Sequence, residues 1–470
     1  MTLSSYDYCI VGAGPAGLTL AYKLLEGGKS VQIVERDTRA GGLSKSYDID
    51  GHIFDTGPKR FHTDDPIVQN FISSIAEMDE IGRSTMVFFL SKYFTWPLKA
   101  SELYKLPIST GIKSFIDMLK TKQIEDRFSF EQFIKYQYGD TLYGIFFKPY
   151  TEKFLRWKAE DIHSDWASTG INRTVIDKRV KANSLFDLLR SIALPQKIDT
   201  RFLYPKQGGF GAFFDNLLGA CMKFEKFSII LDDTISGLED SSGHFNAVTT
   251  KGKTLRFENL VWSGNLNDLR DLTVPQSKRE LIYLNTLFYN FICKESGVSK
   301  NRAQWIYVSS GDSLVSRITC MREFNQSTTP DGYYNFICEL TDSQTDPKYF
   351  ANPEAHKDDM IKELVGMDFL TGTSGIEAVH INPVVDTYPI YHRRYHKDFG
   401  RITKEIRQFS KRVHLLGRTG AFWYNNSDHS IRMALDMAQK ILKDPEIDFD
   451  FRGYFGGAFR EDSEPETNEQ

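Results

Sequence analysis

Three glycines near the start of the chain have the spacing of a turn that holds a pyrophosphate. Gly12, Gly14 and Gly17 follow the apolar run at residues 9–11. The first glycine allows a tight turn, the second lets the backbone approach the phosphates, and the third lets the next helix pack close to the strand. Glu35 closes the following strand-like run, where a carboxylate can accept hydrogen bonds from ribose hydroxyls. The pattern predicts a dinucleotide site, and the acid disfavours a 2′-phosphate, so NADP is not expected there.

The elements that must position these residues are a strand, a helix and a second strand. Residues 6–36 are typical of this βαβ unit, and its helix would direct free N–H groups and a positive dipole end at the phosphates. Gly41 and Gly42 would let the backbone approach the ligand a second time. An ordinary turn before a hairpin at residues 48–51 explains the same two glycines, so both interpretations stay open.

The rest of the chain changes character twice. Residues 110–195 carry apolar side chains at helical spacing, and short alternating strands follow from about residue 225. Residues 412–442 return to a strand, a glycine loop and a helix. Both ends are therefore expected to be α/β, with helical and antiparallel material inserted between them.

Composition excludes several functional classes. The 470 residues carry a formal net charge of −4, so charge gives no reason to expect a nucleic-acid partner. The five cysteines are scattered without a CxxC pair, which fits a reducing cytosol and offers no metal framework. No apolar run approaches the ~20 residues of a membrane span and no signal peptide is evident, so we expect a cytoplasmic protein. No metal site is predicted, and His392 and His396 are expected to be solvated.

The motif ER-x-x-x-x-GG after the glycine turn resembles the FAD-binding start of the amine oxidase, protoporphyrinogen oxidase and phytoene desaturase group. Further segments resemble one branch of that group, the UDP-galactopyranose mutases and their oxidoreductase relatives. These segments occur in order along most of the chain and are DTGPKRFHTDD (55–65), KPYTEKFLRWKAEDIHSDWAS (148–168), SRITCMREF (316–324) and the stretch from YPIYH to DHS (388–430). The resemblance implies that the dinucleotide is FAD, not NAD.

The resemblance also implies an α/β fold, α+β overall, in which a Rossmann-like FAD-binding domain carries an inserted helical domain and an antiparallel β-sheet substrate domain. We expect the FAD-binding domain to combine residues 1–85, 205–270 and 385–450. The helical insertion is expected at 105–204 and the antiparallel sheet at 86–104 and 271–384. The acidic residues 458–470 are predicted to be a disordered tail.

Seventeen cofactor-binding residues are predicted from the motifs together with the resemblance. Asp428 or Ser430 is also expected to cap a helix whose positive end would face the flavin. The predicted set is Gly12, Gly14, Pro15, Ala16, Gly17, Glu35, Arg36, Gly41, Gly42, Leu43, Gly57, Ile235, Gly417, Arg418, Asp428, His429 and Ser430.

Four further residues are predicted to serve catalysis. Arg317 matches the arginine that binds the substrate diphosphate in the mutases, although a lone strand arginine is more often a solvated surface group. Tyr388 and Tyr424 match phosphate-contacting tyrosines. Lys59 is either a solvated turn residue or a cation that favours the anionic flavin. Arg173 matches the mobile-loop arginine loosely.

The chain departs from the mutase segments at five positions. Lys59 replaces a histidine, and Leu155 replaces a tryptophan, with Trp157 two residues later. A glutamate, a lysine and a tyrosine are replaced by Cys320, Arg322 and Phe422, respectively. These changes leave the FAD motif intact and put the mutase reaction itself in doubt.

The sequence therefore favours an FAD-dependent oxidoreductase that acts on a nucleotide- or phosphate-linked sugar, a small-molecule substrate in glycan biosynthesis. The first alternative is a non-redox isomerase of the mutase type that uses reduced FAD. The second is an amine- or polyene-type flavin oxidase or desaturase. A non-catalytic flavoprotein is the least favoured, because the substrate-side arginine and tyrosines would then have no task. The oligomeric state cannot be inferred from the sequence.

Overall fold

The computed structural model describes residues 5–96, 100–119, 124–167, 201–241, 243–274 and 278–444. Two seven-stranded sheets dominate this part of the chain. The first contains the parallel strands of a Rossmann-like unit, and the second is almost entirely antiparallel. The predicted α/β class, with an additional antiparallel sheet, is confirmed.

The strands are numbered in chain order, and two short hairpin-like pairs accompany the large sheets. They are β1 (Ser5–Val11), β2 (Val31–Val34), β3 (Tyr47–Ile49), β4 (His52–Phe54), β5 (Met78–Gly82), β6 (Thr85–Phe89), β7 (Lys92–Thr95), β8 (Arg201–Pro205), β9 (Phe227–Ile230), β10 (Ile235–Ser241), β11 (His244–Thr249), β12 (Thr254–Trp262), β13 (Tyr283–Lys294), β14 (Trp305–Val308), β15 (Arg317–Cys320), β16 (Tyr333–Ser343), β17 (Ile376–Pro389) and β18 (Val413–Leu415).

The described α-helices are numbered in the same way, and a single π-helical turn at 143–147 joins the fourth to the fifth. They are α1 (Pro15–Glu26), α2 (Pro66–Ile75), α3 (Ile108–Leu119), α4 (Phe130–Leu142), α5 (Lys148–Leu155), α6 (Ala212–Cys221), α7 (Leu266–Thr273), α8 (Lys357–Gly366), α9 (Tyr395–Phe409), α10 (Gly417–Gly420) and α11 (Ser427–Lys443). No helix in these ranges is long and apolar enough to cross a membrane.

The first sheet has the order β10-β11-β12-β1-β2-β9, with β18 also paired to β12. Strand β1 runs parallel to both β2 and β12, and β2 runs parallel to β9. All four residues of β2 are buried, as expected of a strand covered on both faces. Helix α1 packs against α6 and α11, which cover one face of this sheet.

The second sheet has the order β17-β13-β16-β15-β14-β6-β7, and only its β14–β6 pair is parallel. Eleven of the twelve residues of β13 are buried, so this strand lies in the core with material on both faces. β13 is paired along nearly its full length with β16 and β17. Strands β15, β16 and β17 of this sheet carry Arg317, Glu339 and Tyr388, which are described below.

Helices α3, α4 and α5 lie in the region predicted to be helical, and β8 pairs with β5 at its end. Residues 168–200, which include Arg173 and the helical pattern at 184–194, lie outside the described residues. The acidic segment 458–470 lies outside them as well. The three domain ranges therefore stay a prediction.

Candidate functional site

A cleft lies at the carboxyl ends of the parallel strands of the first sheet, where open α/β sheets bind ligands. Residues at or just after the ends of β1, β2, β12 and β18 line one side, and the bulged segment 382–386 of β17 lines the other. The glycine turn at the base of the cleft brings the start of α1 very close to the end of β1. A Cβ atom on Gly17 would lie 2.0 Å from the Gly12 carbonyl oxygen, so α1 can pack against β1 only if residue 17 is glycine.

The two glycine pairs of the sequence meet inside this cleft. A Cβ atom on Gly42 would lie 2.9 Å from the Cα of Gly14, and both residues line the cleft. Gly41 donates its N–H to the Ala13 carbonyl and fixes this approach. The close contact leaves bare backbone facing the ligand on both sides, which a pyrophosphate requires. The simple-turn interpretation of Gly41 and Gly42 is therefore incomplete, because they also build the cleft wall.

Glu35 organises the loops at the adjacent end of the cleft. Its Oε2 accepts a hydrogen bond from the Ala13 backbone at 2.6 Å, and its Oε1 accepts one from the Asp37 backbone at 3.0 Å. Each carboxylate oxygen can accept a further bond, so the side chain can still receive ribose hydroxyls. Arg36 is held alongside by an ion pair of 2.8 Å with Asp386.

The loop before α11 supplies a buried polar group that fits a bound cofactor. Asn425 is 1% exposed and lines the cleft, and its Nδ2 has no hydrogen-bond partner in the part of the chain that the structure describes. A buried amide donor of this kind normally has an acceptor, because leaving it unpaired costs about 1–3 kcal/mol. The glycine approach, Glu35 and this donor together fit the acceptor-rich, phosphate-containing group that the sequence predicts.

The helix cap predicted at Asp428 or Ser430 is wrong. Asn426 is the N-cap of α11, and it forms a capping box with His429. Asp428 is buried within the first helical turn. Five of the residues at 425–430 are Asn, Ser or Asp, which are all suited to capping, so the sequence alone could not select among them. The predicted dipole orientation survives the correction, since Ser427 and Ser430 at the start of α11 line the cleft.

Most of the predicted cofactor residues lie together, but not all face the cleft. Gly17 packs beneath the turn, Ile235 is in the core beside the cleft-lining Thr234, and Gly57 contacts Glu339 instead. Those that line the cleft are Gly12, Gly14, Pro15, Ala16, Glu35, Arg36, Gly42, Leu43, Gly417, Arg418 and Ser430.

Sequence reasoning missed the segment Ser263-Gly264-Asn265 that directly follows β12, together with Asn425, Thr419 and Asp386. The first three could have been found, because small polar residues directly after a parallel strand often line a ligand site.

A second group of residues adjoins the cleft and is centred on Arg317. Its Nε and one terminal nitrogen donate to Glu339 at 2.7 and 2.6 Å, in a bidentate pair with a carboxylate that is 0% exposed. The same terminal nitrogen donates to the Tyr388 hydroxyl at 3.2 Å. The other terminal nitrogen forms no hydrogen bond with the residues that the structure describes, so it offers two N–H donors. Arg317 is therefore not a solvated surface group.

Arg418 joins the cleft to this second group. Its guanidinium donates to the carbonyls of Asn425 and Thr387 and lies over the rings of Tyr388 and Tyr424, 5.1 and 5.4 Å from their centroids. The Trp166 ring stacks on the Tyr424 ring, with the two centroids 4.9 Å apart. Burial raises the pKa of Tyr424 to about 12, so its hydroxyl stays a proton donor at neutral pH.

Lys59 lies between the two groups, half-buried in the wall of the cleft. Burial, followed by the positive charge of Arg418, lowers the pKa of its ammonium group to about 7. No carboxylate of the described residues lies within ion-pair distance of Lys59. The side chain is therefore not a solvated turn residue, and its charge can change near neutral pH.

The YTEK segment has a structural task. Lys153 is 4% exposed, and its ammonium group donates to the carbonyls of Val308 and Val315 at 2.6 and 2.9 Å. These carbonyls flank the connection between β14 and β15, so Lys153 ties α5 to the strand that begins with Arg317. Glu152 accepts a hydrogen bond from the Ala159 backbone.

Four of the five departures from the mutase segments do not line the cleft. Leu155, Cys320 and Phe422 are in hydrophobic cores, and Arg322 donates to the Tyr333 carbonyl. Only Lys59 faces the cleft. Glu339 lies directly opposite Arg317 across β15 and β16 and supplies a carboxylate beside it.

Comparisons with known proteins agree with this geometry. The NAD(P)-binding Rossmann-like domain family matches residues 10–75. The chain is 28% identical over 167 residues to a probable UDP-galactopyranose mutase of Klebsiella pneumoniae, which covers 34% of this chain and 42% of that protein. It is 34% identical over 121 residues to the UDP-galactopyranose mutase of Mycoplasma pneumoniae, covering 25% and 30%, respectively. The chain thus spans less than half of the curated relatives that it matches.

The likeness to solved structures extends over nearly the whole chain. A structure of reduced UDP-galactopyranose mutase superposes with a TM-score of 0.80 at 18% identity, covering 93% of this chain and 96% of that one. Cyclohexylamine oxidase from Brevibacterium oxydans gives a TM-score of 0.60 at 12% identity, covering 94% and 100%. The predicted resemblance is confirmed: the chain has the Rossmann-like flavoprotein fold that these proteins share.

Proposed function

We propose that this distant relative of the UDP-galactopyranose mutases binds FAD and isomerises a sugar attached to a nucleoside diphosphate, with the flavin in its reduced state. The observation that carries the proposal is the Arg317 group at the end of the dinucleotide cleft. When bound, reduced FAD would supply the nucleophile that acts on the anomeric carbon of the sugar.

The glycine-lined part of the cleft supports FAD as the cofactor. Gly14 and Gly42 would face the pyrophosphate, Glu35 would receive ribose hydroxyls, and the amide of Asn425 would donate to an acceptor of the cofactor. The start of α11 would place its positive dipole end at the same part of the cleft.

Arg317 is the residue best suited to hold the departing diphosphate. Glu339 fixes the guanidinium plane through two hydrogen bonds, so the remaining terminal nitrogen presents its two donors in a fixed direction. The Tyr388 hydroxyl accepts from Arg317 and keeps its own proton to donate. Donors that are held in place before the reaction stabilise developing negative charge without reorganisation.

The charge balance around the cleft also supports an anionic substrate. Lys59, Arg317 and Arg418 converge there, and the Glu339 carboxylate neutralises only one of them. Arg60 and Arg83 stack on the nearby Trp305 ring, with guanidinium-to-centroid distances of 4.3 and 5.5 Å. This excess of positive charge is confined to the Arg317 end, because the rest of the cleft is lined by Glu35, Asp37, Asp268 and Asp386 against Arg36 and Lys45. At that end it favours a ligand with at least two negative charges, as a diphosphate provides.

The second candidate is the oxidoreductase that the sequence favours, and one observation supports it. Lys59 occupies the position of a mutase histidine and is the single departure that faces the cleft. A cation at this position would favour an anionic flavin, which hydride transfer from a substrate produces. The other four departures do not line the cleft, so they give little further support to an oxidoreductase.

The deciding experiment compares oxidised and dithionite-reduced protein under anaerobic conditions with a panel of nucleotide sugars that begins with UDP-galactopyranose. The proposal expects conversion of one sugar to an isomer by the reduced protein alone, without a change in the flavin absorbance. Bleaching of the oxidised flavin by one sugar would instead establish the oxidoreductase. Failure of both forms on every diphosphate sugar would contradict both candidates.

The glycine turn makes a separate prediction about cofactor retention. Gly17→Ala should weaken FAD binding at least about tenfold, because its Cβ would lie 2.0 Å from a backbone oxygen and must push α1 away from β1. The measurement is the Kd of the deflavinated protein for FAD by fluorescence quenching. Gly219→Ala, on α6 where a Cβ meets no atom within 4 Å, is the matched control and should bind FAD normally. Equal affinity of the two variants would contradict the placement of the pyrophosphate.

A further inference from the structure

Three side chains with ligand atoms suited to a metal ion converge outside the cleft. His163 and Asp165 lie in the segment that follows α5, and His396 lies in the first turn of α9. One nitrogen of each histidine and one oxygen of the carboxylate all lie within 4.8 Å of one another. His396 lies 231 positions after Asp165 in the sequence, so the fold brings it to the other two residues.

The distances between the ligand atoms suit a small coordination sphere. The Asp165 Oδ2 atom lies 3.1 Å from His163 Nδ1 and 2.7 Å from His396 Nε2. Ligands that bind one ion at about 2.0–2.2 Å in tetrahedral geometry are ~3.3 Å apart, which is near these distances. A bound ion would replace the hydrogen bond from the Asp165 backbone to His163 Nδ1 and the one between His396 Nε2 and Asp165. The expectation that His396 is simply solvated is therefore wrong, and His392 is also largely buried, with 14% side-chain exposure.

The surroundings hold the three ligands in place. His163 and Asp165 are 4% and 8% exposed, and the Tyr395 hydroxyl donates to the same carboxylate oxygen. In metal sites, a neighbouring hydrogen bond of this kind typically fixes the orientation of a ligand side chain. The side chain of His396 is 30% exposed, so an ion could enter from solvent and keep water as a fourth ligand.

We propose that His163, Asp165 and His396 bind one divalent transition-metal ion of the zinc class. Two imidazoles and one carboxylate, without a thiolate, are ligands that Zn²⁺ accepts and that Mg²⁺ and Ca²⁺ do not select. The proposal does not depend on the proposed function, because none of the three residues lines the cleft.

The ion would act as a clamp between two parts of the chain. Asp165 precedes Trp166, whose ring stacks on Tyr424 at the edge of the Arg317 group. Bound metal would tie the segment that carries Trp166 to the start of α9. It would thereby hold one wall of the substrate region without taking part in chemistry.

The test is isothermal titration of the EDTA-treated, FAD-loaded protein with zinc chloride at pH 7.5. We expect one zinc ion per chain with a Kd in the micromolar range or tighter. His396→Ala and Asp165→Asn should each weaken binding at least tenfold, whereas His244→Ala, a histidine on β11 outside the cluster, should leave it unchanged. Binding should also weaken at pH 5.5, because protonated imidazoles do not coordinate metal.

Two outcomes would overturn the proposal. Absence of saturable zinc binding to the wild-type protein at 100-micromolar concentrations (roughly the weakest affinity useful to such a clamp) would show that the three residues form a hydrogen-bonded cluster alone. Binding that persists unchanged in both His396→Ala and Asp165→Asn would place the zinc elsewhere. The wild-type titration decides the matter even if a variant fails to fold.

Discussion

Arg317→Met is expected to reduce kcat/KM for the sugar substrate by at least about a thousandfold. Methionine keeps much of the side-chain volume but removes the two N–H donors that Arg317 would offer to the proposed diphosphate, and charge-assisted hydrogen bonds contribute about 1.5–3 kcal/mol each. The same change leaves Glu339, which is 0% exposed, without its bidentate partner. Removing one partner of a buried ion pair costs about 3–5 kcal/mol of folding free energy. Steady-state kinetics and urea unfolding measure the two effects.

A double variant separates binding from stability. Arg317→Met combined with Glu339→Gln should regain most of the lost folding free energy, since no buried charge is then left unpaired, but it should not regain activity. Arg302→Met is the control for the loss of an arginine ion pair outside the cleft, because Arg302 pairs with Glu295 at 2.9 Å in a more exposed position. An active double variant would show that Arg317 serves the fold alone and would remove the main support for the diphosphate site.

Lys59→Met is expected to lower the midpoint potential of the bound flavin at pH 6 by roughly 40 mV. A charge that favours the reduced, anionic flavin by about 2 kcal/mol corresponds to that shift for two electrons. The pKa of Lys59 is lowered to about 7 by burial and by Arg418, so the charge is present below pH 7 and is lost above it. The potential difference between the wild type and the variant should therefore be large at pH 6 and small at pH 9.

Lys59→Arg supplies the control, because arginine keeps its charge across this range. Its potential should equal that of the wild type at pH 6 and exceed it at pH 9. Dye-coupled reductive titration at both pH values measures all three proteins. A Lys59→Met potential that matches the wild type at pH 6 would show that the lysine does not act on the flavin.

Local patterns predicted the βαβ unit that forms one side of the cleft. The glycine turn and Glu35 lie within one βαβ unit, and their geometry is determined by residues close in sequence. The helix cap was assigned wrongly even though it is local, because Asn426 and Asp428 are both good caps and the backbone conformation selects between them. The sequence therefore limits the N-cap of α11 to a few residues but does not select one of them.

The substrate side depends on register between distant strands, which the sequence does not reveal. Arg317 forms an ion pair with Glu339 because the register of β15 and β16 places the two residues opposite each other. The same registration places Cys320 in a core, where its replacement of a mutase glutamate has no direct effect on the cleft. In the sequence, the five departures put the mutase reaction in doubt, because the sequence does not show which of them line the cleft.

The pairing of β18 with β12 has a consequence for how the protein is made. A ribosome releases β1 and α1 first, yet the strand that completes their sheet and the helix that covers them, β18 and α11, emerge only after residue 413. Segments so far apart must be brought together before their contacts stabilise the fold, which slows folding and exposes apolar surface meanwhile. The nascent chain can therefore complete the cleft only near the end of synthesis, because residues at the start of α11 line it.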